Sequence, residues 1–247
     1  MADKNVIRKE DAVVRFAGDS GDGMQLSGTL FSDTSALDGN DIATFPDYPA
    51  EIRAPHNTIA GVSGFQVHIG KKIYSSGDKA DVLVCMNPAS LKSNLKWARV
   101  GATIIVDLDT FTEDAIAKAG YETSPLDNDS LSSYNVVKAP ITTLTVEAVK
   151  DIFADRKSAL RCRNMFALGM IFFIFGKTTN HADDYLQTKF KNKPEVIEAN
   201  QKVIRAGFNY CENVDVQETY LPRVDVETAE MPKGKYRNIT GNTATAW

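Results

Sequence analysis

Residues 80–109, "ADVLVCMN" then "PASLKSNLKWARVG" then "ATIIVDLD", place two nearly continuous apolar runs on either side of a helical segment that opens on Pro88. A run without polar alternation is the pattern of a strand buried on both faces. Proline near the first turn of a helix costs nothing, because that amide has no partner in any case. Strand, helix, strand of this kind closes only as a right-handed crossover, so the segment predicts a parallel sheet with helices packed on it.

The same alternation extends over residues 12–140. "AVVRFA" (12–17) reads as a first strand, "MQLSGTLFSDTSALDG" (24–39) as a helix ended by Gly39, and "DIATF" (41–45) as a second strand. In "GVSGFQVHIGKKIYS" (61–75), Phe65, Val67 and Ile69 alternate with polar residues before a "GKK" turn, which predicts a hairpin with "IYS" as its second arm. "EDAIAKAG" (113–120) and "YNVVKAPI" (134–141) continue the pattern as a helix and a strand. The fold class is therefore α/β: an open, mostly parallel, Rossmann-like sheet with helices on both faces.

After residue 143 the chain turns helical, with "LTVEAVKDIFA", "NMFALGMIFFIFG" and "KPEVIEANQKVIRAGFNYCEN". In the last of these, Val196, Ile197, Val203, Ile204, Gly207, Phe208 and Cys211 form one stripe at helical spacing, suited to docking on the sheet or on a partner. From about Tyr220 the sequence is polar and aperiodic, as in a linker or wrapping tail. The division expected is one domain over residues 1–219 and a tail over 220–247 leading toward a further domain, with truncation favoured over a stand-alone subunit.

Composition narrows the function. A net charge of -4 with 24% charged residues disfavours generic nucleic-acid binding. The longest apolar run, Met165 to Phe175, has 11 residues. A bilayer span needs about 20, so a buried helix is expected and no membrane contact. The N-terminal stretch lacks the pattern of a secretory signal, giving a cytoplasmic expectation. Cys85, Cys162 and Cys211 stand far apart without a CxxC pair, so core positions are expected for them rather than a disulfide, zinc or iron-sulfur set.

"GDSGDG" (18–23) lies between a strand and a helix, where glycines permit positive φ and the helix N-terminus attracts anions. Its order is G-x-x-G-x-G, unlike the dinucleotide fingerprint, and no Gly-Lys-Ser/Thr follows as in a P-loop. Asp19 and Asp22 would repel a pyrophosphate, and Asp22 is placed to cap the following helix near Gln25. A structural or interface role outweighs a phosphate role. The triplet Gly21-Asp22-Gly23 opens like a thiamine-diphosphate motif, but Asn40 is too near and Asn57 too far to close it.

"PDYPAEIRAP" (46–55) holds three prolines in ten residues, a stiff loop presenting Asp47, Tyr48, Glu51 and Arg53. Stiffness lowers the entropy lost on binding, and the Arg53 fork suits a phosphate or carboxylate. The bland alternative is a solvated Glu51 and Arg53 pair. His56 shares the loop, while His68 is placed on a polar strand face and His181 in a polar turn; none has partners at metal spacing. These residues contain no catalytic machinery.

"RFAGDSGDGMQLSGTLFSDTSALDGNDIATFPDYPAEIRAP" together with "GVSGFQVHI" resembles the gamma-type domain of the 2-oxoacid:ferredoxin oxidoreductases, above all the version fused at the start of the alpha subunit in the 2-oxoglutarate type. The likeness covers about residues 12–215, and "YRNITGNTATA" resembles the approach to the next alpha-subunit domain. The resemblance implies an accessory domain of a complex that converts a 2-oxoacid to an acyl-coenzyme A and reduces ferredoxin. Thiamine diphosphate, magnesium and the iron-sulfur cluster would sit on the other alpha-subunit domains and the thiamine-binding beta subunit. Gly18, Gly21, Gly23, Glu51 and Arg53 carry over as contacts to coenzyme A or to the interface. The rival readings are a self-sufficient nucleotide- or flavin-binding module and a structural docking domain.

Overall fold

The computed structural model describes residues 6–49, 51, 54–214, 221, 223–230, 232, 234–235, 237 and 239–247. In chain order the elements begin with β1 (Val6–Lys9), β2 (Asp11–Asp19), α1 (Met24–Leu37), β3 (Asp41–Asp47), β4 (Val62–Gly70), β5 (Ala80–Cys85) and α2 (Pro88–Asn94). There follow β6 (Ala98–Asp107), α3 (Glu113–Lys118), β7 (Asn135–Ala139), α4 (Ile141–Ala148), α5 (Arg156–Leu160) and α6 (Arg163–Ile174). The last are α7 (Asn180–Lys189), α8 (Pro194–Val214), β8 (Arg223–Val226) and α9 (Gly241–Ala246).

The main sheet has the order β3-β4-β2-β5-β6-β7. The β2-β5, β5-β6 and β6-β7 pairs are parallel, and β4 runs antiparallel to both β2 and β3. The crossover expected at residues 80–109 is present, with Asn87 at the N-cap and Ser90 at the third helical position forming a reciprocal cap across Pro88. Its helix is shorter than expected, because after a 3-10 turn at 95–97 the chain is already extended from Ala98.

The predicted hairpin is wrong in its second arm. Phe65, Val67 and Ile69 are buried, and β4 finds its two partners in β2 and β3. Residues 73–75 form no strand, since side chains hold this segment instead of a ladder. Gln66 Nε2 donates to the Ser76 and Gly77 carbonyls, His68 Nδ1 lies 2.7 Å from the Ser75 carbonyl, and Asp41 accepts from the Ile73 amide. β3 is an edge strand, where Pro46 has no ladder bond to lose.

Two apolar layers flank the sheet. Val14, Phe16, Val84 and Ile105 pack with α1 and α6 on one face, while Leu83, Ile104 and Val106 pack with Leu91 and Leu131 on the other. α6 is buried on all sides, as the 11-residue run predicted, and α8 lies across it. A Cβ on Gly169 would sit 2.1 Å from the Ile204 carbonyl oxygen, and one on Gly207 2.1 Å from that of Phe166. The α8 stripe therefore docks on α6, at a distance only glycine allows.

The sequence pattern predicts a helix over residues 144–154, but α4 ends at Ala148 and a turn follows. The sequence pattern does not signal α5 or α7, and His181 sits in the first turn of α7, not in a polar turn. The tail wraps: β8 pairs in parallel with β1, Asn40 Nδ2 donates to the Glu227 carbonyl, and the Ala229 amide donates to that of Gly39. Among the described residues no helix is long and apolar enough to cross a membrane.

Candidate functional site

β2 lies between β4 and β5, and the chain leaves its C-terminal end for α1 and β3 on one side before returning to β5 on the other. The crevice outside such a reversal is where open α/β sheets hold ligands. Here its two walls are the Gly18–Gly23 loop after β2 and the Asn87–Pro88 turn after β5.

The protein bridges this crevice itself. Buried Asp19 accepts from Asn87 Nδ2 at 2.8 Å on one oxygen and from the Asn57 amide at 2.8 Å on the other, with His56 Nδ1 3.2 Å away. The Ser20 amide donates to the Gly61 carbonyl. Asp19 is thus a clasp joining the Gly loop, the proline-stiffened loop and the β5-α2 turn, a role that sequence reasoning missed. Asn57 has a φ of +64°, a conformation in which asparagine is among the tolerated residues.

Asp22 does not cap α1, contrary to the expectation from its position. The N-cap is Gly23, with φ of +78° and no side-chain cap bond. A left-handed residue between Asp22 and the helix turns the carboxylate back on its own loop. There it accepts from the Asp19 amide at 2.9 Å and from Arg163 at 2.6 Å. Asn164 Nδ2 donates to the Gly23 carbonyl, so the first residues of α6 brace the loop from below. Both carboxylates are engaged by protein donors, and Arg163 offsets the charge of Asp22.

The five residues singled out divide accordingly. Gly18 is buried, and a Cβ there would meet Asp22 Oδ2 at 2.9 Å; Gly23 packs on Asn164, whose Nδ2 would lie 2.5 Å from its Cβ. Gly21 is exposed, has φ of +102°, and has nothing within 4 Å of a Cβ position. It alone presents bare backbone outward. Glu51 is exposed, its amide donating to the Ala60 carbonyl. Arg53 lies outside the described residues. Phe45 on the edge strand, Tyr48 in the proline-rich loop and Ile59 in the 3-10 turn before β4 are large exposed apolar side chains.

Asp47, at the start of the proline-rich segment, is anchored by Arg15, a buried arginine that the strand pattern of 12–17 does not single out. Its NH2 pairs with Asp47, its Nε donates to Asn94 at 2.6 Å, and its NH1 donates to Gln66. On the α6 face, buried Asp107 ends β6 and accepts from the amide and hydroxyl of Thr142. Burial raises its carboxyl above the ordinary range, with the Thr142 bonds and the charge of Arg163 opposing.

Cluster chemistry does not fit the thiols of this chain. All three cysteines are buried; burial pushes the Cys85 thiol up and that of Cys162 to about 11, so neither supplies thiolate at neutral pH. Among the described residues no three His, Cys, Asp or Glu groups stand together as a metal site.

The sequence profile of the family "Pyruvate ferredoxin/flavodoxin oxidoreductase" matches residues 13–210. The chain is 47% identical over 241 residues to the 2-oxoglutarate oxidoreductase subunit KorA of Mycobacterium tuberculosis, covering 97% of this chain and 36% of that one. It therefore spans about a third of the length of that curated relative. Among solved structures, the 2-oxoglutarate:ferredoxin oxidoreductase of Magnetococcus marinus, with 2-oxoglutarate, coenzyme A and succinyl-CoA bound, matches with TM-score 0.65 at 23% identity, over 91% of this chain and 34% of that one. The gamma subunit of a keto/oxoacid ferredoxin oxidoreductase from Geobacter sulfurreducens matches with TM-score 0.59 at 17% identity, over 83% of this chain and 98% of that one. At these identities the structures share the fold. The extent of the profile and the closeness of the curated relative place this chain in the pyruvate ferredoxin/flavodoxin oxidoreductase family.

Proposed function

We propose that residues 1–219 form the gamma-type accessory domain of a 2-oxoglutarate:ferredoxin oxidoreductase, with residues 220–247 as the tail toward further domains. The observation that carries this reading is 47% identity across 97% of the chain to a 2-oxoglutarate oxidoreductase subunit. The partners are the remaining alpha-subunit domains and a thiamine-binding beta subunit in the cytoplasm, with ferredoxin reached through the complex. Thiamine diphosphate with magnesium, and an iron-sulfur cluster, supply decarboxylation and electron transfer from those partners.

This chain's own contribution is a shaped face. Asp19 locks the Gly loop to the proline loop, Gly18 and Gly23 let the loop close on Asp22 and Asn164, and Gly21 offers backbone amide and carbonyl groups to whatever docks. Exposed Glu51, and Arg53, which lies outside the described residues, are the charged groups assigned to contact coenzyme A or the partner surface. The engaged Asp19 and Asp22 disfavour the rival nucleotide- or flavin-binding reading, because the Asp19–Asn87 bond spans the crevice such a cofactor would need.

The test is reconstitution of the complex with and without this domain, measuring ferredoxin reduction that depends on 2-oxoglutarate and coenzyme A. Loss of that activity without the domain is expected. Unchanged turnover in its absence would overturn the reading.

A further inference from the structure

A second concavity lies at the far end of the molecule from the Gly loop. α6 starts at Arg163 against Asp22 and ends beside Gly176, so the two places are separated by the length of that helix, about 18 Å for its 12 residues. The concavity has a volume of about 430 Å³, within the range of roughly 300–1,000 Å³ that holds small molecules. Its lining includes Lys177, Thr178, Arg205, Phe208, Asn209 and Arg223, and none of the lining residues is a carboxylate.

In a chain of net charge -4, three cations on one wall need explaining. Two are partly neutralised from outside the lining. Lys177 donates to Asn40 at 2.8 Å and lies 3.1 Å from Asp38, and Arg205 lies 2.8 Å from Asp183. Arg223 has no carboxylate partner among the described residues. Its guanidinium rests over the Phe173 ring at 4.2 Å, a contact that fixes the plane of the fork and leaves its edge for an oxyanion. Among the described residues the wall therefore holds three cations against two carboxylates. The ten-residue helix α7 begins in the same wall, with no side-chain cap bond from Thr179 and with Asp183, the partner of Arg205, in its first turn.

We propose that this pocket binds a phosphomonoester group, carried by a small molecule or present as free phosphate. Such a dianion takes two-pronged bonds from guanidinium forks and accepts from lysine, while Phe208 offers apolar wall to the rest of a ligand. A bound phosphate bridges three separate stretches of chain: β8 through Arg223, α8 through Arg205, and the α6-α7 turn through Lys177. It would thereby fasten the wrapping tail to the helical layer, independently of what docks on the Gly-loop face.

The experiment uses the whole chain, with orthophosphate, ribose 5-phosphate and AMP as probes, titrated by calorimetry and by melting temperature against sodium chloride of equal ionic strength. Saturable binding with a rise in Tm beyond the chloride control is expected. Arg205→Gln should weaken it by about tenfold, the loss of one charge-assisted contact. Asn209→Glu, on an exposed turn of α8 and away from the β1-β8 pairing, should abolish it and keep the fold. Tighter binding of AMP or ribose 5-phosphate than of orthophosphate would assign a phosphorylated small molecule, and equal binding would assign free phosphate; both support the site. No saturable binding of any probe, or binding unchanged in Asn209→Glu and Arg205→Gln, would overturn it.

Discussion

At Gly21 the backbone sits at φ of +102° and a Cβ would meet nothing within 4 Å, whereas at Gly207 a Cβ would lie 2.1 Å from the carbonyl oxygen of Phe166. One glycine is required by the turn it makes, the other by the helix it touches. The Gly loop faces outward, is held by side-chain bonds to Asp19 and Asp22, and leaves backbone exposed at its tip. The α6-α8 crossing faces inward and is held by apolar packing, with Phe173 against Phe208 and Phe166 against Tyr210, over main chains in close approach. Substitution at the first region should disturb what the domain meets, and substitution at the second should disturb whether it folds.

The crossing offers the largest effect. Gly207→Ala pushes a methyl group into main chain that has no rotamer to change, and should cost about 3 kcal/mol, the upper end for overpacking. Chemical denaturation gives the value directly, and a loss below about 1 kcal/mol would mean the helices can part without penalty. Asp19→Ala comes next. It strands the buried amide of Asn87 and the Asn57 N–H, at about 2 kcal/mol. Hydrogen exchange at residues 54–61 should quicken in that variant, and unchanged exchange there would remove the clasp from the account.

Those two predictions also mark what the sequence could and could not reveal. The parallel crossover at 80–109 was legible because continuous apolar runs have few other uses, and the burial of α6 followed from its length. Gly207 was read as a member of an apolar stripe, yet the partner that makes it indispensable is Phe166, about forty residues away and signalled by no local pattern. The hairpin at 61–75 failed because alternation in β4 predicts a half-buried strand without saying which strands flank it. Asp22 was misassigned because a cap position was inferred from spacing, while Gly23 at positive φ turns the carboxylate toward Arg163, 141 residues on. Asp19 and Arg15 are buried polar groups whose partners come from distant segments, so composition gave no reason to single them out as anchors.

Smaller effects sharpen the contrast. Gly21→Ala meets open space and bears only the strain of a positive φ, about 1 kcal/mol by thermal or chemical denaturation. A cost as large as that of Gly207→Ala would show the loop to be packed rather than presented. The buried Asp107 adds a tilt with pH. Burial raises its folded carboxyl above the ordinary carboxylate range, so the folded state holds the proton more tightly than the unfolded state. That contribution is fully present below the unfolded value and is lost as pH rises through the folded one. Relative to Asp107→Asn, the unaltered chain should therefore lose stability on going upward through that window, and a gain instead would reverse the assignment of burial as the dominant cause.

The outward-facing role of the Gly loop is tested most directly by Gly21→Asn in the assembled complex. Asparagine tolerates a positive φ, so the fold should persist within about 1 kcal/mol, while its side chain occupies the open space over the loop. Ferredoxin reduction dependent on 2-oxoglutarate and coenzyme A should fall by about tenfold, with the melting temperature of the isolated chain nearly unchanged. Full activity in that variant, with the domain folded and the complex intact, would contradict a working surface at the Gly loop.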